Sequence, residues 1–121
     1  MSIKTSHFKP GDVIAFYYNN KILIKRVIAT DGQYVDIKDD GTVLVDGVEL
    51  DEPYIKEKSK GECNIQLPYQ VGDGRILFVM GDDRPISIDS RTNSMGTISN
   101  EKVLGRVLFK VWPFSAIEIV K

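Results

Sequence analysis

Lys25 is the residue whose type and sequence neighbours best suit it to acid–base chemistry. It lies in an apolar run, and strand alternation would place it on one face with Leu23 and Val27. The residues expected to line the other face are Ile22, Ile24 and Ile28. A strand buried on both faces disfavours the ammonium form and lowers a lysine pKa by up to about 3–5 units. Such a lysine can take a proton from a serine hydroxyl without histidine, whereas a lysine that reaches solvent along its aliphatic stem cannot.

A second group of polar residues lies in the segment 81–91, which reads Gly-Asp-Asp-Arg-Pro-Ile-Ser-Ile-Asp-Ser-Arg. If this segment is extended, Ser87, Asp89 and Arg91 share one side. The carboxylate and the guanidinium suit a charge-assisted pair, and the Ser87 hydroxyl can orient a lysine amine by hydrogen bonding. The alternative interpretation is a Gly-Asp turn followed by a solvated polar patch.

Several other chemistries lack the residues they need. Cys63 is the only cysteine and His7 the only histidine, so the sequence offers no internal disulfide, thiolate metal site or His-based triad. We therefore expect neither a metal nor another cofactor. The formal net charge of −1 gives no basic field for nucleic acid. No apolar run reaches the roughly 18 residues of a membrane-spanning helix, and residues 1–9 are polar rather than signal-like.

Short β-strands separated by turn residues are the elements expected to position these side chains. Asn19-Asn20 suits a tight hairpin turn between the first two strands. The predicted strands are residues 12–18, 21–29, several short segments within 34–50, 75–80, 103–112 and 116–120. Residues 100–104 predict a short helical turn, and residues 51–74, with Pro53 and Pro68, predict a surface loop.

The predicted fold class is all-β, because no window has a helical pattern longer than two turns. We expect one domain, residues 1–121, in which residues 33–74 are a candidate smaller β subdomain built from hairpins.

Three segments, in order, resemble motifs of one protein family. Gly11-Asp12-Val13-Ile14 resembles a Gly-Asp-Ile-Val box, Lys25-Arg26-Val27-Ile28 a Lys-Arg-Val-Ile-Gly box, and residues 81–91 a Gly-Asp-Asn-Arg-x-x-Ser-x-Asp-Ser-Arg box. These are motifs of type I signal peptidase, the S26 serine proteases. The resemblance covers residues 8–121 and implies coiled antiparallel sheets of the signal peptidase and LexA-like type.

The resemblance also implies roles for individual residues. Lys25 would be the general base, Ser87 would hold its amine, and Asp89 and Arg91 would brace the site. Ile24 would help line shallow apolar pockets for small substrate side chains. The family removes signal peptides from exported preproteins, commonly after an Ala-x-Ala pattern, on the extracytoplasmic face of the bacterial membrane, where an N-terminal anchor holds it.

The sequence departs from this family pattern in one major respect. The family's nucleophilic serine lies in a Ser-Met-x-Pro-Thr box upstream of the Gly-Asp box, and Ser2-Ile3-Lys4-Thr5 lacks its Met and Pro. Neither that box nor the anchor is found in the sequence, so we expect this polypeptide to be inactive as a Ser/Lys-dyad protease. Ala29, Asp31, Gln33 and Asp83 are smaller departures that leave Lys25 in place.

Two alternative functions follow from the same resemblance. The first is a non-catalytic assembly or binding factor for exported proteins such as pilins, for which loss of the lysine would be typical. The second is a self-cleaving LexA-like regulator, which would lack the long last box. The presence of Lys25 and of residues 81–91 favours the signal peptidase.

Overall fold

The computed structural model describes residues 8–74 and 76–107, and this part of the chain consists of β-strands, turns and loops with one short 3₁₀ helix at Asn100–Lys102. In chain order the strands are β1 (Val13–Tyr18), β2 (Lys21–Thr30), β3 (Tyr34–Ile37), β4 (Val43–Val45), β5 (Val48–Glu49), β6 (Tyr69–Gln70), β7 (Ile76–Met80), β8 (Ile98–Ser99) and β9 (Val103–Arg106). They form one five-stranded and one four-stranded antiparallel sheet. The prediction of an all-β fold with a smaller second sheet is confirmed.

The five-stranded sheet, in the order β8-β7-β2-β1-β9, contains the predicted β1–β2 hairpin. Its turn residues Asn19 and Asn20 have φ values of 49° and 62°, a left-handed conformation that asparagine adopts more readily than most residues. The resulting register places Lys25 opposite Ile14. Facing residues of an antiparallel pair project to the same side, so Lys25 projects towards the core cluster that contains Ile14.

The other edge of β2 pairs with β7, with Arg26 opposite Met80. The register shifts between Val27 and Ala29, so Ile28 is the additional residue of a β-bulge. Ile28 and Ala29 consequently both pack in one core cluster, while Val27 packs in the other. The pairing places the end of β7, and with it the segment that begins at residue 81, beside the middle of β2.

The expectation that β2 is buried on both faces is wrong for its first residues. Ile22 is 56% exposed and lies opposite Tyr17, which is 55% exposed. Both residues lie near the tip of the hairpin, where little of the described chain covers them. Ile24 and Arg26 are half-buried on either side of the buried Lys25, and continuous burial is observed only over residues 27–29.

The four-stranded sheet has the order β5-β4-β3-β6. Its buried residues, Val35, Ile37, Val43 and Val45, pack in one cluster with Ile28, Ala29, Phe78 and Met80 of the five-stranded sheet. Alternation explains this pattern, because the intervening residues Tyr34 and Asp36 are exposed. One face of the four-stranded sheet therefore covers the side of β2 and β7 that carries Ile28, Ala29, Phe78 and Met80.

Some sequence predictions concern residues that the structure does not describe. The closing strand expected at 103–112 is observed as β9, which ends at Arg106, and Val107 is described outside the strand. Residues 108–112 lie outside the described residues, as do the strand expected at 116–120, Ser2, His7 and Arg75. The helical turn expected at 100–104 is observed over Asn100–Lys102, where the Ser99 hydroxyl accepts a hydrogen bond from Glu101 N. β8 was not predicted, nor was β6, which lies within the surface loop expected at 51–74, because a two-residue strand carries no periodic signal.

Candidate active site

Lys25 is a buried lysine in the middle of β2. It is 7% exposed and lies on the same face of the five-stranded sheet as Ile14 and Val27. Burial is the largest influence on its amine and lowers its pKa from the ordinary value of 10.5. The negative charge of Asp89 acts in the opposite direction, and the positive charge of Arg91 adds to the lowering. The net direction favours the neutral amine that a general base requires.

Ser87 is the hydrogen-bond partner of this lysine. Lys25 Nζ donates to Ser87 Oγ at 2.8 Å across 62 residues of sequence, and both side chains are buried. A turn positions the serine, since the amides of Ile86 and Ser87 both donate to the carbonyl of Asp83, at 3.1 and 2.9 Å. The hydroxyl thereby fixes the direction in which the Lys25 amine points.

Asp89 and Arg91 form a fully buried ion pair behind the serine. Arg91 Nε and Nη2 donate to the two carboxylate oxygens of Asp89 at 2.8 and 2.9 Å. The amides of Gly81 and Arg91 also donate to this carboxylate, at 3.0 and 3.1 Å. Because Arg91 Nη2 donates in addition to the carbonyl of Ser87 at 3.2 Å, the pair supports the backbone of the residue that holds Lys25.

The structure brings four of the five predicted site residues together. Ser87, Asp89 and Arg91 are buried, and Ile88 between the first two is 45% exposed, but Ser90 is also buried at 1%. The segment turns at residues 84–86 and 90–91 instead of running extended, so the one-sided pattern read from the sequence holds only for residues 87–89. Ile24 instead lies on the opposite face of β2, opposite Ala15, and is half-buried.

Comparisons with known proteins identify the family. A family described as "Signal peptidase, peptidase S26" matches residues 1–112. The chain is 37% identical over 128 residues to signal peptidase IB of Staphylococcus aureus, covering 93% of this chain and 65% of that protein. It is 36% identical over 119 residues to signal peptidase I of Bacillus licheniformis, covering 91% and 62%. The chain thus spans just under two thirds of the length of these relatives.

A solved structure agrees with the sequence matches. The crystal structure of a signal peptidase I from Enterococcus faecalis V583 superposes with a TM-score of 0.68 at 30% identity, covering 85% of this chain and all of that one. This chain belongs to the S26 signal peptidase family. The resemblance read from its three boxes is confirmed.

Two further ion pairs of this S26 chain were not predicted from its sequence. Arg26 Nε and Nη2 donate to the carboxylate of Asp82 at 3.0 and 2.7 Å, and the same guanidinium lies 3.7 Å from the centre of the Tyr54 ring. Arg84 Nη2 donates to Glu52 at 2.6 Å, with both side chains almost completely buried. Arg26, Asp82 and Arg84 lie within the motifs quoted from the sequence. The pairings themselves could not be predicted, since the partners are 56 and 32 residues apart.

Tyr54 connects these two ion pairs. Its hydroxyl donates to Glu52 Oε2 at 3.2 Å while its ring lies against Arg26. Burial, together with the neighbouring charge of Glu52, raises the pKa of Tyr54 to about 12. The phenol therefore stays protonated and keeps its donor at neutral pH.

In the described ranges of this S26 chain, no group of three His, Cys, Asp or Glu side chains is arranged to hold a metal ion. Over the same residues, no helix has the length and apolar character needed to cross a membrane.

Proposed function

We propose that Lys25 is the general base of a Ser/Lys-dyad endopeptidase that removes signal peptides from exported preproteins. The observation that carries this proposal is the buried 2.8 Å hydrogen bond between Lys25 Nζ and Ser87 Oγ. It holds an amine of lowered pKa in one orientation, and a base with these properties can activate a hydroxyl nucleophile.

The proposed reaction moves one proton twice. The neutral Lys25 amine takes the proton of a serine hydroxyl as its oxygen attacks the substrate carbonyl carbon, and the resulting ammonium gives that proton to the departing peptide amine. Water then hydrolyses the acyl-enzyme by the same transfers. Ser87 directs the amine throughout, and Asp89 and Arg91 keep Ser87 in place.

The nucleophile is a separate part of the proposal. The family's Ser-Met-x-Pro-Thr box does not occur in residues 1–121, so we propose that this polypeptide alone does not cleave peptides. In the whole protein, a membrane anchor would hold the domain at the extracytoplasmic face of a bacterial membrane, where signal peptides with small residues before the cleavage site are the substrates. Ile24 would line the substrate pocket from the outer face of β2.

Joining the family's Ser-Met-x-Pro-Thr box to the start of this chain tests the proposal. We expect this chimera to cleave a peptide with an Ala-x-Ala site, and Lys25→Ala to reduce its kcat by about 10²–10⁴-fold. The 121-residue chain alone is the negative control. If the 121-residue chain alone cleaves the peptide and Lys25→Ala abolishes that cleavage, the assignment of the nucleophile is wrong. If Lys25→Ala does not affect the chimera, the assignment of the base is wrong.

A further inference from the structure

The loop at residues 50–68, which connects β5 to β6 of the four-stranded sheet, is attached to the site segment by two buried arginines. Arg84 Nη1 and Nη2 donate to the carboxylate of Glu52 at 3.2 and 2.6 Å, near the start of the loop. Arg91 Nη1 donates to the carbonyls of Lys60 and Ser59 at 2.8 and 3.4 Å, at the middle of the loop. The loop is therefore held at two points by the segment that contains Ser87.

The Glu52–Arg84 pair is among the most buried charged groups of the described chain. The side chains are 1% and 0% exposed. Removing two charges from water offsets most of their attraction, so such a pair is weak evidence of a contribution to stability. Loss of one partner, however, leaves the other charge buried and unpaired, which forces a local rearrangement. The energy of the Glu52–Arg84 ion pair therefore depends strongly on where the backbone places the two residues.

Arg84 links the Glu52 ion pair to the turn that precedes Ser87. Its Nε donates to the carbonyl of Gly81 at 2.8 Å, so the side chain connects the start of the site segment to Glu52. The residue lies within the turn in which the Ser87 amide donates to the carbonyl of Asp83 at 2.9 Å. A displacement of Arg84 would therefore change the geometry of that turn and the position of the Ser87 hydroxyl.

Gly61 shows how closely the loop approaches this turn. A Cβ atom at this position would overlap the carbonyl oxygen of Arg84 and the guanidinium of Arg91. The residue also has a φ of 60°. The loop thus lies directly against the backbone of Arg84, on which the turn depends.

We propose that Glu52 and Arg84 are positioning residues, which hold the turn before Ser87 and through it the buried amine of Lys25. This inference rests on the proposed role of Lys25 as the base. Neither residue contacts Lys25 in any described interaction, so their effect passes through Ser87.

The test measures the titration of Lys25 in this chain by NMR, with lysine labelled with ¹³C at Cε and Lys25→Ala used to assign the signal. We expect Glu52→Gln to let the turn open and water reach the amine, which increases its proton affinity about tenfold because burial is the main cause of its lowered pKa. Direct electrostatics predicts a decrease in the proton affinity of Lys25 instead, since removing the Glu52 carboxylate and leaving Arg84 unpaired disfavours the ammonium. Asp39→Asn is the matched control, because Asp39 pairs only at the surface with Lys60 of the same loop, and we expect it to leave the midpoint unchanged.

The outcomes separate this inference from the proposed function. A wild-type Lys25 that titrates at its ordinary value would contradict the proposed base, whatever the variants do. A lowered wild-type midpoint that Glu52→Gln does not raise would overturn the positioning role alone. Glu52→Asp keeps the charge but shortens its reach, and we expect a smaller rise. If Glu52→Gln does not fold, an unchanged midpoint in Glu52→Asp overturns the inference.

Discussion

Opposing influences act on the amine of Lys25, and burial is the strongest of them. Asp89 stabilises the ammonium form, but its carboxylate already accepts hydrogen bonds from Arg91 and from the amide of Gly81. Arg91 in turn repels the ammonium. The Asp89–Arg91 pair therefore supplies structure to the site while adding little net charge beside Lys25.

The lowered pKa of Lys25 predicts a specific pH dependence of stability. The unfolded chain, with a lysine of ordinary pKa 10.5, binds more protons than the folded chain at pH values between the folded pKa and 10.5. The free energy of unfolding attributable to Lys25 consequently rises with pH in this window, by up to about 1.4 kcal/mol per pH unit. Lys25→Met removes this dependence, so we expect the variant to be the more stable protein at pH 7 and its advantage to shrink as pH rises.

Urea unfolding of both proteins from pH 7 to just below pH 10 measures this difference. Above pH 10 the unfolded chain ionises its tyrosines while Tyr54, with its pKa raised to about 12, stays protonated in the fold. That effect lowers the stability of both proteins alike. A difference between the two proteins that does not vary with pH would contradict a lowered Lys25 pKa.

At the scale of elements, the site depends on a loop packed against a turn. Residues 59–61 approach the carbonyl of Arg84 and the guanidinium of Arg91 so closely that only glycine fits at position 61. This loop has no regular structure here, and the buried guanidinium of Arg91 donates to its carbonyls at Ser59 and Lys60.

Gly61→Ala tests this packing against a matched control. Gly61 and Gly47 both have positive φ, of 60° and 80°, but an added Cβ at Gly47 meets no atom within 4 Å. Alanine at either position costs about 1 kcal/mol of backbone strain. We expect Gly61→Ala to lower the free energy of unfolding by about 1–3 kcal/mol more than Gly47→Ala does. Equal losses in urea unfolding would show that the loop is not closely packed.

Across the whole molecule, what the sequence could predict depended on the distance between interacting residues. The β1–β2 hairpin followed from alternation and the Asn19-Asn20 turn, which are local signals. Lys25 and Ser87 were linked only through the family resemblance, because their contact spans 62 residues. The Glu52–Arg84 pair gave no usable signal, since a charged residue in a loop is usually solvated. The exposure of Ile22 was also missed, because alternation gives the face of a residue but not whether that face is covered.

The arrangement of the core predicts that both sheets unfold together. Phe78 of β7 is fully buried, packs in one cluster with Val35 and Val43 of the small sheet, and lies 5.6 Å from the Tyr69 ring. Phe78→Leu leaves a cavity shared by the two sheets, and we expect it to lower the free energy of unfolding by about 1–3 kcal/mol. Because the cluster is shared, the slowest-exchanging amides of β2 and β4 should lose equal protection in hydrogen exchange.

Val48→Ala serves as the control for this experiment. Val48 is 68% exposed on β5, so its truncation should change the protection of either sheet by less than about 0.5 kcal/mol. Equal losses for Phe78→Leu in both sheets would support the prediction that residues 1–121 form one domain. A loss of exchange protection confined to the four-stranded sheet would show instead that residues 33–74 unfold as a separate unit. Lys25 would then keep its surroundings when that unit unfolds.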